Sequence, residues 1–69
     1  MDINVPEGTM LADVDLVGED GNAFSVMGIV SEGLRRAGND QSAVDNYLEQ
    51  AMGGDYDHLL AVSVAFIER

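Results

Sequence analysis

Cysteine, lysine and tryptophan are absent from this chain, and proline and histidine occur once each. Without cysteine there are no disulfides and no thiolate metal sites. A single histidine, His58, leaves a zinc site short of ligands. Bases are scarce too: Arg35, Arg36 and Arg69 stand against 13 acids, a net charge of −10 over 69 residues. Phosphate neutralisation needs clustered Lys and Arg, so direct nucleic-acid binding is not expected as a primary role. Anionic membrane surfaces are disfavoured for the same reason. The longest apolar run, Leu59 to Ile67, is broken by Ser63, and a bilayer span takes about 20 residues. Met1-Asp2 opens an acidic segment rather than the basic and then apolar start of a signal peptide, which points to the cytoplasm.

At this length one domain is expected. Such a chain buries roughly 60% of the surface its unfolded form exposes. A catalytic pocket would consume much of that small core. No enzyme, catalytic residue, cofactor or metal is therefore expected, whereas a homo-oligomer or a partner-stabilised chain is. Disorder is not expected either, because 46% of the residues are apolar and they fall in periodic runs.

The charge is unevenly spread. Residues 1–22 carry six acids and no base, while residues 23–69 carry seven acids and all three arginines. The chain thus divides into an acidic arm and turn (1–22) and a helical domain (23–69). Within the arm, Ala12, Val14 and Leu16 alternate with Asp13 and Asp15. Period-two alternation predicts a half-buried extended segment with its aspartates in water. Such a segment either lies along the helices or pairs with its copy in a dimer. Gly18 to Asn22 then reads as a turn.

Three helices follow. The first should run over Ala23–Ala37, with Asn22 as N-cap, Arg35 and Arg36 in the last turn, and Gly38 as the left-handed stop. Phe24, Met27, Val30 and Leu34 mark its apolar stripe. The second should run from about Ser42 to Met52, capped by Asp40 or Ser42, with Val44, Tyr47, Leu48, Ala51 and Met52 inward. The third should start at the cap Asp55 and reach about Glu68. It is apolar nearly all round, and Val62, Val64 and Phe66 alternate, so a strand is the alternative there. The expected class is all-α: a small three-helix domain with an extended acidic N-terminal arm that could form a short strand.

Several groupings carry candidate chemistry. The run Asp13 to Gly18 begins like a calcium loop, but Val17 and Phe24 occupy two liganding positions, and a solvated acidic turn is the better reading. His58 lies between acids, and Ser25 and Ser63 supply hydroxyls, yet no strand–turn–helix elbow surrounds either serine. A histidine hydrogen-bonded locally in a first helical turn fits better. Gly28 and Gly33, with Ser25 and Ser31, make one side of the first helix small, which suits close packing or a flat ligand. Arg35-Arg36 closes intramolecular ion pairs or grips an anion. The acidity is either for solubility or a mimic of nucleic-acid phosphates.

Gly18-Glu-Asp-Gly-Asn-Ala-Phe24, Gly28, Gly33-Leu-Arg-Arg-Ala-Gly38 and Ala51-Met-Gly-Gly-Asp-Tyr-Asp-His-Leu-Leu60 stand in order over roughly residues 16–66. In this the chain resembles a family of short proteins from bacteriophages, prophages and bacterial genomes. That family has no assigned activity, so the resemblance implies a phage context, in a bacterium or phage-infected host, and no mechanism. Relatives often carry lysines that this chain lacks. By analogy of class, small acidic phage proteins block host machinery such as restriction and CRISPR nucleases.

The leading expectation is an acidic interaction module of phage type, an inhibitor of a host or phage protein with a basic surface. Its contacts are expected at Asp13, Asp15, Glu19, Asp20, Asp45 and Glu49. A second expectation is a nucleotide-like ligand held between subunits near Gly28, Arg35, Arg36 and Tyr56. A third is a structural or assembly part of a virion.

Overall fold

A computed structural model describes residues 3–16 and 22–68. Three helices make up the body: α1 (Ala23–Ala37), α2 (Gln41–Ala51) and α3 (Tyr56–Ala65), each packed on both others. The fold is all-α.

Local chemistry accounts for the helix ends. The Asn22 carboxamide oxygen accepts the Phe24 and Ser25 N–H groups, which would otherwise be orphaned at the start of α1. Gly38 ends α1 at φ 108°, a left-handed conformation that costs glycine little. At α2 the cap is Asp40, not Ser42: its Oδ1 accepts from Ala43 N–H at 3.1 Å and from the Ser42 hydroxyl at 2.8 Å. These two donors, the hydroxyl first, hold the Asp40 carboxyl below its ordinary pKa. Asp55 caps α3 by accepting the His58 N–H at 2.9 Å.

The core joins Val26, Val30 and Leu34 of α1 to Val44, Tyr47 and Ala51 of α2 and Leu59 and Val62 of α3, with Phe66 just beyond. The Tyr47 and Phe66 rings meet edge to face at 5.2 Å and 64°. The core stripe of α1 runs at i, i+4 and i+8 (Val26, Val30, Leu34). Phe24, expected in that stripe, is instead 81% exposed. At 100° per residue it falls about 120° away from Val30 on the helical wheel.

The tenth member of the core, Ala12, comes from the arm. The arm runs extended along the helices, with Ala12 buried, Val14 and Leu16 half-buried, and Asp13 and Asp15 exposed. Among the described residues its backbone is held at three places. Gln50 of α2 both accepts from Asn4 N–H and donates to Asn4 C=O. Asn39 does the same for Met10, at 2.9 and 2.7 Å. Ala12 donates to the Phe66 carbonyl at 2.8 Å and accepts from Glu68 N–H at 2.7 Å, forming a parallel bridge with Ile67. This bridge explains why α3 ends at Ala65 rather than near Glu68. The strand alternative for Val62 to Phe66 is not realised, since Val62 to Ala65 are helical.

Gly33 and Gly28 separate under this packing. A Cβ on Gly33 would lie 2.5 Å from Val14 Cγ1 and 2.9 Å from Ala12 Cβ, whereas one on Gly28 would meet nothing within 4 Å. Close packing therefore accounts for Gly33, against the arm and not a helix, and leaves Gly28 in the open. Gly33→Ala should destabilise by about 1–3 kcal/mol through overpacking. Gly28→Ala should stabilise by up to about 1 kcal/mol through helix propensity. Urea unfolding of the two variants measures the opposite signs.

Candidate functional site

The charged surface is built from side chains that the fold leaves outside. All ten described carboxylates are exposed: Glu7, Asp13, Asp15, Glu32, Asp40, Asp45, Glu49, Asp55, Asp57 and Glu68. The described bases are Arg35 and Arg36, and both lie along Glu32, at 3.8 and 3.5 Å. These are exposed pairs within one helix, worth a few tenths of a kcal/mol each. They nevertheless draw both cations to one carboxylate and leave the rest of the described surface acidic.

The expected contact residues have distinct settings. Asp13 and Asp15 lie on one side of the arm, two residues apart on extended backbone, with Ala12 and Val14 turned to the core. Pinning of Ala12 on both its N–H and its C=O fixes the backbone that presents them. Asp45 and Glu49 lie one turn apart on the exposed face of α2, and Asp45 accepts from Gln41 Nε2 at 2.9 Å. Glu19 and Asp20 lie outside the described residues, as does most of the turn in which a calcium loop was considered. Among the described residues no three His, Asp or Glu side chains group as metal ligands.

The residues expected around a small ligand do not share one place. Gly28 and Arg36 border a shallow depression of about 330 Å³ with Val14, Ile29 and Glu32. Tyr56 borders a different groove, about 290 Å³, with Ala23, Phe24, Met27, Met52 and Asp55. Arg35 is exposed in the last turn of α1, next to Glu32. A single chain therefore does not assemble the four residues into one pocket. A larger cleft of about 410 Å³ lies between the turn at Pro6–Thr9 and the α1–α2 junction, bordered by Glu7, Met10, Asn39, Asp40 and Asn46.

The serine–histidine grouping is also dispersed. His58 Nε2 lies 2.8 Å from the Gln50 carbonyl, tying the start of α3 to the end of α2. Gly54 lets that ring sit close, since a Cβ there would lie 2.8 Å from His58 Cγ. Ser63 is fully buried, with its hydroxyl 2.7 Å from Tyr47 Oη. Ser25 is exposed in the first turn of α1.

Sequence reasoning missed the two amides that pin the arm, Asn39 and Gln50, and the exposed pair Phe24 and Met52. The tighter i, i+4, i+8 stripe of α1 was the available signal for Phe24. No local pattern marks Asn39 or Gln50, because their partners are 29 and 46 residues away.

No family model, curated protein or solved structure matches the chain. Among the described residues no helix is long and apolar enough to cross a membrane.

Burial of Tyr47 raises its phenol pKa, and the Ser63 hydrogen bond opposes that rise only in part. A phenol raised in the fold contributes stability that is complete below the unfolded value near 10 and is lost as pH rises through the folded value. Wild-type stability should fall as the pH is taken above about 10. Tyr47→Phe should remove that component of the fall while costing stability at neutral pH through the unpaired Ser63 hydroxyl. Thermal unfolding of both proteins from neutral to alkaline pH measures this.

Proposed function

We propose that this chain is a non-enzymatic, acidic protein-binding module that acts as an inhibitor of the phage type by covering a basic surface on another protein. The observation that carries this reading is the exposure of all ten described carboxylates while both described arginines lie along Glu32. Such a surface raises a positive potential partner's rate of encounter and disfavours nucleic acid and anionic lipid.

Asp13 and Asp15 are the leading contacts, because their backbone is fixed before binding and little ordering entropy is then lost. Asp45 and Glu49 supply a second, helical pair. Glu19 and Asp20 belong to the same acidic segment of the sequence. In its most specific form the proposal is mimicry: carboxylates on a small scaffold occupy a groove that otherwise holds nucleic-acid phosphates, as in the anti-restriction and anti-CRISPR class. The cytoplasm of a bacterium or phage-infected host is the proposed location.

Binding through exposed charges weakens as the Debye length shrinks from about 8 Å at 0.15 M salt to about 3 Å at 1 M. A tagged full-length chain should therefore capture a basic protein from bacterial lysate at low salt and release it at high salt, identified by mass spectrometry. Asp13→Lys with Asp15→Lys should abolish the capture without unfolding the chain, as checked by circular dichroism. Capture that survives high salt and charge reversal alike would sink the proposal.

A further inference from the structure

The groove beside Tyr56 sets an apolar surface inside this acidic one. Phe24 and Met27 approach it from the first two turns of α1, Met52 from the end of α2, and Tyr56 and Leu59 from the start of α3. Phe24 is 81% exposed and Met52 64%, the two most exposed large hydrophobic side chains among the described residues. Removing side chains of this kind from water is favourable, so an occupant that covers them gains by it. One of the two phenylalanines is thus held outside the core, which has ten buried apolar members among the described residues. The two methionines have flexible, polarisable side chains that adapt to different occupants.

The rim of the groove restricts what can fill it. Asp55 borders it directly and Asp57 follows in the first turn of α3. On α2, Asp45, Glu49 and Met52 fall at i, i+4 and i+7 and are all exposed, so an acidic stripe leads into the apolar patch. Arg35 and Arg36 are at the other end of α1, about 17 Å along the axis from Phe24 at 1.5 Å per residue. A second copy of the chain would bring a charge of −10 against −10 across this face. Charge complementarity instead favours an occupant with apolar anchors flanked by lysine or arginine.

We propose that the Phe24–Met27–Met52–Tyr56 groove seats a basic amphipathic helix of the protein partner, with its apolar residues on Phe24 and Met52 and its cations on Asp45, Glu49, Asp55 and Asp57. The proposal rests on the acidic-binding reading above and gives it a specific anchor. It follows the helix-in-groove mode, in which apolar residues at i, i+3, i+4 and i+7 enter the groove and the flanks meet charge. Aromatic anchors surrounded by polar contacts carry most of the energy in such interfaces.

The test uses the full chain and two synthetic helices of about five turns. Both carry leucine at the i, i+3, i+4, i+7 positions; one has lysine elsewhere and the other glutamine. Affinity is followed by calorimetry and oligomeric state by sedimentation. The lysine helix should bind and the glutamine helix should bind at least tenfold more weakly. Phe24→Ala and Met52→Ser should each weaken the lysine helix by tenfold or more, with unfolding midpoints unchanged because both side chains are exposed. Glu49→Gln with Asp57→Asn should weaken it several-fold and flatten its salt dependence.

Equal binding to wild type and Phe24→Ala, with loss on charge reversal at Asp13 and Asp15, would overturn the groove and leave the acidic-binding reading standing. Indifference to both sets of variants would overturn both. Absence of binding by the lysine helix, or a dimer of the chain dissolved by Phe24→Ala, would overturn the groove proposal alone.

Discussion

An extended arm without a sheet has to satisfy its backbone by other means, and the rest of the structure follows from how this is done. Buried N–H and C=O groups are almost always paired, and the buried Ala12 pairs with Phe66 and Glu68 at the end of α3. At the exposed residues Asn4 and Met10 two side-chain amides, Gln50 and Asn39, take the backbone groups in place of water. Each amide offers an acceptor and a donor in one plane, which lets it take the place of a neighbouring strand at a single residue. Held this way, Ala12 reaches zero exposure and completes a core that the helices leave open. The same pairing ends α3 at Ala65, and the depth of Ala12 and Val14 requires a glycine at position 33.

The electrostatic character comes from the same arrangement. Alternation along the arm sends Ala12 and Val14 inward and leaves Asp13 and Asp15 in water. These carboxylates stand on a backbone anchored on both sides of the Ala12 peptide rather than on a loose tail. High net charge opposes compaction through self-repulsion. The fold offsets this with buried apolar contacts and backbone pairing, and the two described arginines lie along Glu32. A predominantly acidic surface on a fixed frame is suited to recognition. The exposed Phe24 and Met52 add apolar anchors that such a surface otherwise lacks.

Much of the architecture was legible in the sequence because it is local. Asn22, Asp40 and Asp55 are capping residues whose acceptors reach the next turn, and Gly38 marks a left-handed stop. The period-two run at 12–16 gave the orientation of the arm, though not its place, which depends on an amide 29 residues away. The place of Phe24 was misjudged because an i, i+3 spacing drifts off the core stripe within two turns. The end of α3 was misjudged because the apolar run continues through Ile67, and only the bridge to Ala12 decides where the helix stops. Asp13, Asp15, Asp45 and Glu49, the proposed contacts, were readable as exposed carboxylates. The apolar groove bordered by Asp55 was not, because it joins the ends of three helices.

Amide hydrogen exchange at Ala12 and Glu68 tests most directly whether the arm is part of the core. Both N–H groups lie in the pairing between the arm and the end of α3. If the arm completes the core, they exchange only through global opening, at rates matching those of Val30 and Val44 in the helices. Exchange at Ala12 and Glu68 as fast as in an unstructured peptide, with Val30 and Val44 still protected, would show an arm that leaves the helices without unfolding them and would contradict it.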